Sequence, residues 1–108
     1  MIYTIAEIER IVTPIAEKYH LKSVFLFGSY ARGTAHENSD IDLLIDTAGS
    51  GLDTLFKLGA LYEDLSNAFC KKIDMITVLA IEQPAMRQSE IRFRENVIRE
   101  RKSLYAVA

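Results

Sequence analysis

The spacing of apolar residues changes along the chain, and each change marks an element. Ile5, Ile8, Ile11 or Val12, Ile15 and Tyr19 follow the period of an amphipathic helix. Thr4-Ile5-Ala6-Glu7 in front matches a capping box, which starts a helix by reciprocal side-chain bonds to its first free N–H groups. Pro14 lies inside the pattern, so the helix either kinks there or restarts with Thr13 as N-cap. Both versions bury the same isoleucine face. Lys22 to Phe27 (KSVFLF) then reads as a buried strand that stops at Gly28-Ser29. A polar loop carrying Gly33, Thr34, Asn38 and Ser39 follows, and Asp40 to Asp46 (DIDLLID) alternates as a second strand.

Thr47 to Gly51 (TAGSG) is a loop by composition. The apolar stripe Leu52, Leu55, Phe56, Leu58, Leu61, Tyr62, Leu65 and Phe69 predicts a long helix crossing over the sheet. Lys71-Lys72 closes it at the favourable end of its dipole. Ile73 to Leu79 is a third strand, with Asp74, Ile76 and Val78 sharing one face. Pro84 precedes or opens a last helix running to about Lys102, with Met86, Phe93, Val97 and Leu104 roughly on one face and Ile91 and Ile98 beside them. The expected fold class is α/β (α+β), a small mixed sheet of about three strands with helices on one side. The first two strands are antiparallel across the loop at Tyr30 to Ser39. The pattern holds no internal repeat and no second domain, so residues 1–108 are read as one domain.

Composition narrows the functional classes. A chain of 108 residues supports one modest core. Its 49% hydrophobic content fits a globular fold rather than disorder. A net charge of −2 argues against a protein that holds nucleic acid by bulk electrostatics. The last helix is locally basic (Arg87, Arg92, Arg94, Arg99, Arg101 and Lys102), but Glu90, Glu95 and Glu100 interleave with it, as on a solvated, ion-paired face. The lone Cys70 makes neither an internal disulfide nor a zinc site, and reads as a buried small hydrophobe near a helix end in a reducing compartment. No apolar run approaches the ~18–20 residues of a membrane span, and the N-terminus has no signal-peptide pattern. A cytoplasmic protein without membrane contact is expected.

Candidate chemistry gathers around the second strand. Side chains two apart on a strand share a face, so Ile41, Leu43 and Ile45 enter the core while Asp40 and Asp42 project together from the other side. Two close carboxylates repel unless a cation lies between them. Hard oxygen ligands suit Mg²⁺, which commonly takes one or two carboxylates plus substrate phosphates. Asp74 is a lone charge in an apolar strand, unfavourable unless it meets a cation or hydrogen-bond donors. If its strand lies beside the second, it joins Asp40 and Asp42. Asp46 shares their face but lies ~13 Å beyond Asp42 at ~3.3 Å per residue, too far for the same metal pair.

The turn before the loop supplies phosphate contacts. Gly28 has no Cβ to block close approach, and backbone N–H groups with the Ser29 hydroxyl can hold phosphate oxygens. Gly28 to Gly33 has the glycine spacing of a P-loop but lacks its lysine, and the polar residues beyond do not open a helix, so that reading fails. Arg32 has two readings, an ion pair with a nearby acid or contact with nucleotide phosphates. Gly33 is a position that needs backbone freedom. Ser39 has two readings, a local hydrogen bond that anchors the loop, which is preferred, and a direct contact with substrate, while His36 is solvated. Tyr105 is a packing or partner contact.

Gly28-Ser29, Arg32-Gly33 and Ser39-Asp40-x-Asp42 stand in the order and spacing of the signature of the minimal nucleotidyltransferases. The chain thereby resembles that family, part of the DNA polymerase beta-like nucleotidyltransferase superfamily, over nearly its whole length. The resemblance implies the nucleotidyltransferase fold, a third carboxylate from a later strand (here Asp74), and transfer of AMP from ATP onto a hydroxyl. Two Mg²⁺ ions would be held by Asp40, Asp42 and Asp74, with Ser29 and Gly28 on the phosphates and Asp74 accepting or activating the acceptor proton. Larger relatives carry further domains for base and acceptor, and this chain ends soon after the third acid, so a separate partner is expected. The resemblance implies a HEPN-type toxin, held in a hetero-oligomer and adenylylated on a tyrosine by this chain as antitoxin. Two alternatives stand beside it: an antitoxin that neutralises by binding alone, and a transferase for a small hydroxylated molecule such as an antibiotic. The intact set Gly28, Ser29, Asp40, Asp42 and Asp74 weighs against the first, and the lack of an acceptor-binding domain against the second.

Overall fold

Two apolar sheet faces dictate the architecture. The computed structural model describes residues 1–107. Its elements are α1 (Ile5–Lys18), β1 (Ser23–Phe27), α2 (Gly28–Arg32), β2 (Ile41–Asp46), α3 (Leu55–Phe69), β3 (Ile73–Thr77), α4 (Val78–Glu82), α5 (Gln88–Glu100) and β4 (Lys102–Ala106). The strands form one mixed sheet in the order β3-β2-β1-β4. As expected, β1 and β2 are antiparallel; β4 is antiparallel to β1, and β3 is parallel to β2. A parallel neighbour cannot be reached by a tight turn, and α3 is the crossover that the pairing requires.

The capping box at the start of α1 is complete. The Thr4 hydroxyl accepts from the Glu7 N–H at 3.1 Å, and the Glu7 carboxylate accepts from the Thr4 N–H at 2.8 Å. Pro14 is accommodated within one continuous helix, and Thr13 donates to the Glu9 carbonyl at 2.7 Å instead of capping a restart. Ile8, Val12 and Ala16 of α1 join Leu61, Leu65 and Phe69 of α3 over Val24, Leu26, Ile41, Leu43 and Ile45.

The opposite face carries Phe27 and Leu44, and α5 covers it with Val97. Helices therefore lie on both faces of the sheet, which corrects the one-sided expectation. Phe25, Phe27 and Leu44 form an apolar strip on the acid-bearing face, and burying it favours a helix there.

Three boundaries also differ. The expected last helix ends at Glu100, and Lys102–Ala106 becomes a fourth strand. Leu104 sits seven residues beyond Val97, so it suits a helix period, yet it is buried as a strand residue. Pairing satisfies the backbone groups that β1 would otherwise expose along its edge. β3 stops at Thr77, whose side chain accepts from the Ala80 N–H and starts α4. α3 begins at Leu55 because Thr54 caps it, leaving Leu55 and Phe56 88% and 89% exposed, outside the apolar stripe. Cys70, expected to be buried, is exposed: it closes α3 with φ 52°, which turns it past the buried stripe.

Candidate active site

Strand register brings the acids together. Asp42 is opposite Phe27 across the antiparallel β1–β2 pair and beside Asp74 across the parallel β2–β3 pair. Neighbouring strands lie ~4.8 Å apart, close enough for aligned carboxyls on one face to meet. Those of Asp42 and Asp74 share a hydrogen bond. Asp40, just before β2, lies 3.6 Å from Lys72 Nζ through its Oδ2.

The electrostatics record this crowding. The Asp42 carboxyl is pushed from 3.8 up to about 7, chiefly by burial, then by its hydrogen bond to Asp74 and by the charges of Asp74 and Asp40. Arg32 acts in the opposite direction but does not offset them. Such crowding is relieved by a proton or by a cation. Among the described residues no three Asp, Glu, His or Cys side chains already stand in a metal-ligand arrangement. Asp40 leans toward Lys72, and Asp42 and Asp74 are tied to each other. The donors still fit Mg²⁺: they are hard oxygens, two come from one register pair, and phosphates and water commonly complete such a shell.

Gly28 is required by this arrangement. Its φ is +73°, and a Cβ there would stand 2.0 Å from Asp42 Oδ2. From the sequence that space is open to phosphate; in the structure the Asp42 carboxylate already needs it. Beyond, α2 folds what read as the start of a loop into one helical turn. Gly33 closes it at φ +79°, and the Thr34 N–H donates to the Ser29 carbonyl at 2.9 Å. Ser39 Oγ accepts from the His36 N–H at 2.9 Å, as the anchoring reading expects. Lys71, assigned to the dipole of α3, instead donates to the carbonyls of Glu37 (2.7 Å) and Ser39 (3.1 Å) and so pins the loop that delivers Asp40.

The metal and nucleotide candidates line one cleft of about 600 Å³, Asp40, Asp42 and Asp74 with Gly28, Ser29, Arg32 and Ser39 around them, while Gly33, His36 and Tyr105 lie outside its walls. That volume lies in the range of small-molecule sites. Arg32 meets Glu100 of α5, Nη1 to Oε2 at 3.0 Å, so its ion-pair reading is realised while its side chain remains half exposed. Sequence reasoning missed the far wall, where Phe93, Asn96, Val97 and Glu100 of α5 face the acids. The spacing of Phe93 and Val97 was a visible signal; that they face the acids depends on which sheet face α5 takes.

The profile of the nucleotidyltransferase domain family matches residues 8–103, and the chain belongs to that family. Among its relatives is a Methanocaldococcus jannaschii protein, provisionally named a protein adenylyltransferase, that is 40% identical over 90 residues, 80% of this chain and 90% of that protein. The protein adenylyltransferase MntA of Thermococcus cleftensis is 34% identical over 77 residues, 68% of this chain and 76% of its own length. The fold is shared with the solved structure of a tri-AMPylated Shewanella oneidensis HEPN toxin in complex with MNT antitoxin. There the TM-score is 0.62 at 19% identity, over 95% of this chain and 73% of the matched one.

Proposed function

We propose that the chain is a Mg²⁺-dependent adenylyltransferase that moves AMP from ATP onto a tyrosine hydroxyl of a HEPN-type toxin and thereby acts as its antitoxin. The observation that carries this reading is the pairing of Asp42 with Asp74 directly beside the Gly28-Ser29 turn, within one cleft. Asp40, Asp42 and Asp74 are the residues that would hold Mg²⁺, two ions in the full reading. When bound there, the metal supplies neutralising charge for the triphosphate and lowers the pKa of the acceptor hydroxyl.

The chain's own groups do the rest by position and charge. The Ser29 hydroxyl and the Gly28 backbone hold the terminal phosphates, and Arg32 exchanges Glu100 for phosphate oxygen. Ser39 holds the loop in the shape that presents Asp40. Asp74 is the most exposed of the three acids and lies on the side open to the acceptor, where its carboxylate takes the hydroxyl proton. The hydroxyl oxygen bonds to the α-phosphorus, the bond to the bridging oxygen breaks, and pyrophosphate leaves.

The HEPN-type acceptor rests on the likeness to the adenylyltransferase relatives and to the antitoxin of the Shewanella complex. A cytoplasmic setting and action as one domain belong to the same proposal. No helix of the described residues is long and apolar enough to cross a membrane. Co-expression with the toxin tests the reading: the chain restores growth, and the Asp40→Asn/Asp42→Asn double variant fails to. Full rescue by the double variant would replace catalysis with neutralisation by binding.

A further inference from the structure

The far wall of the cleft changes character along its length. Phe93, Asn96, Val97 and Glu100 stand at i, i+3, i+4 and i+7 on α5, so they share one helix face. Glu100 marks the phosphate end, because it holds Arg32 beside the Gly28-Ser29 turn. Phe93 lies seven residues away, ~10 Å along the helix at ~1.5 Å per residue. Its ring is edge-on to Phe27, with centroids 6.1 Å apart, and stays 48% exposed. Terminal phosphates held at Ser29 and Arg32 therefore leave the base of a nucleotide to the aromatic end of this wall.

Asn96 lies between the two ends and carries the wall's uncharged hydrogen-bonding group. Its Oδ1 accepts from Arg99 Nη2, which fixes the orientation of an amide that could otherwise flip. The Nδ2 donors and the second lone pair of Oδ1 remain for a ligand. An asparagine amide pairs with adenine by donating to N7 while accepting from the N6 amino group. Guanine presents two acceptors, O6 and N7, on that edge, so the amide oxygen would face a lone pair. A pyrimidine covers less of the Phe93 ring and gains less from stacking on it.

We propose that Phe93 and Asn96 form the base subsite of the cleft and select adenine: the base stacks on Phe93, and the Asn96 amide reads its N6–N7 edge. The inference rests on the nucleotide-transfer reading above and adds the residues that choose the nucleotide. Arg99 is a positioning residue in this arrangement, since it acts through the Asn96 amide.

Asn96→Ala and Phe93→Leu test it. Both positions are exposed, and leucine keeps an apolar contact with Phe27, so neither change burdens the core. Affinities for Mg²⁺ complexes of ATP, GTP, CTP and 7-deaza-ATP are measured by calorimetry, with inorganic tripolyphosphate as the probe that has no base. Asn96→Ala is expected to lower the ATP-over-GTP ratio about tenfold, and Phe93→Leu the ATP-over-CTP ratio about fivefold. Tripolyphosphate affinity stays within about twofold in each, because the phosphate end is untouched. 7-Deaza-ATP, which lacks the N7 acceptor, binds the wild type about tenfold more weakly than ATP and binds Asn96→Ala as ATP does. An ATP-over-GTP ratio unchanged by Asn96→Ala, or a loss of tripolyphosphate affinity equal to that of ATP, would overturn the base subsite. A wild-type chain that shows these ratios yet labels no protein from α-labelled ATP would instead overturn the transfer reading and leave the subsite standing.

Discussion

Asp42→Asn separates folding from catalysis at a single atom. In the folded chain burial, Asp74 and Asp40 hold the Asp42 carboxyl at about 7 instead of 3.8. Between those values the unfolded chain has released this proton and the folded chain keeps it. Folding then takes up a proton, and stability falls as pH rises through that interval, levelling off above it. At ~1.4 kcal/mol per pH unit the full loss is ~4 kcal/mol, and the half-buried position of the carboxyl reduces it to ~2 kcal/mol through solvent screening. Asparagine removes the charge while its amide can still donate to Asp74. Without divalent metal, the variant is expected to melt roughly 10 °C above the wild type near pH 8 and about level with it near pH 4, for a chain of ~100 residues. Thermal unfolding followed by circular dichroism in a chelating buffer gives both numbers. Added Mg²⁺ raises the wild-type midpoint and leaves the variant's unchanged. A variant less stable than wild type at the higher pH, or a gap that does not change with pH, would refute the reasoning.

Other changes test neighbouring parts of the site. Gly28→Ala combines an unfavourable φ with a Cβ 2.0 Å from Asp42 Oδ2. It is expected to cost ~1–3 kcal/mol in stability and, by shifting the carboxylate, ~100-fold in kcat/KM for AMP transfer. Steady-state rates alongside melting curves check both. Arg32→Ala removes an exposed ion pair to Glu100 worth less than ~1 kcal/mol, so Tm shifts only slightly. A charge-assisted phosphate bond is worth ~1.5–3 kcal/mol, so the KM for ATP is expected to rise at least ~10-fold. An unchanged KM would confine Arg32 to holding α2 against α5.

The acid cluster was legible because it depends on local rules and one register. The alternation in DIDLLID sets which side each aspartate takes, and one parallel pairing then aligns Asp42 with Asp74. What was not legible depends on contacts between distant segments. Leu104 satisfies a helix period from Val97, and only the open edge of β1 decides that it belongs to β4. The Arg32–Glu100 pair spans 68 residues, and the bonds from Lys71 to the Ser39 loop span more than 30, with no local pattern announcing either. The side of the sheet taken by α5 matters most for function, since it turns an apolar stripe of ordinary appearance into the wall of the cleft. Cys70 was misread for a related reason: a left-handed helix end redirects a side chain that composition alone assigns to the core.

The central claim is that these carboxylates transfer AMP to a protein. Its most direct test is incubation with Mg²⁺, α-labelled ATP and the HEPN-type partner, comparing wild type with Asp42→Asn and locating the label by mass spectrometry of the partner's peptides. The account predicts an AMP adduct on a partner tyrosine with the wild-type chain and none with the variant. Tight association of the two proteins with no adduct from any of the nucleotides, or an adduct that persists in Asp42→Asn, would contradict it.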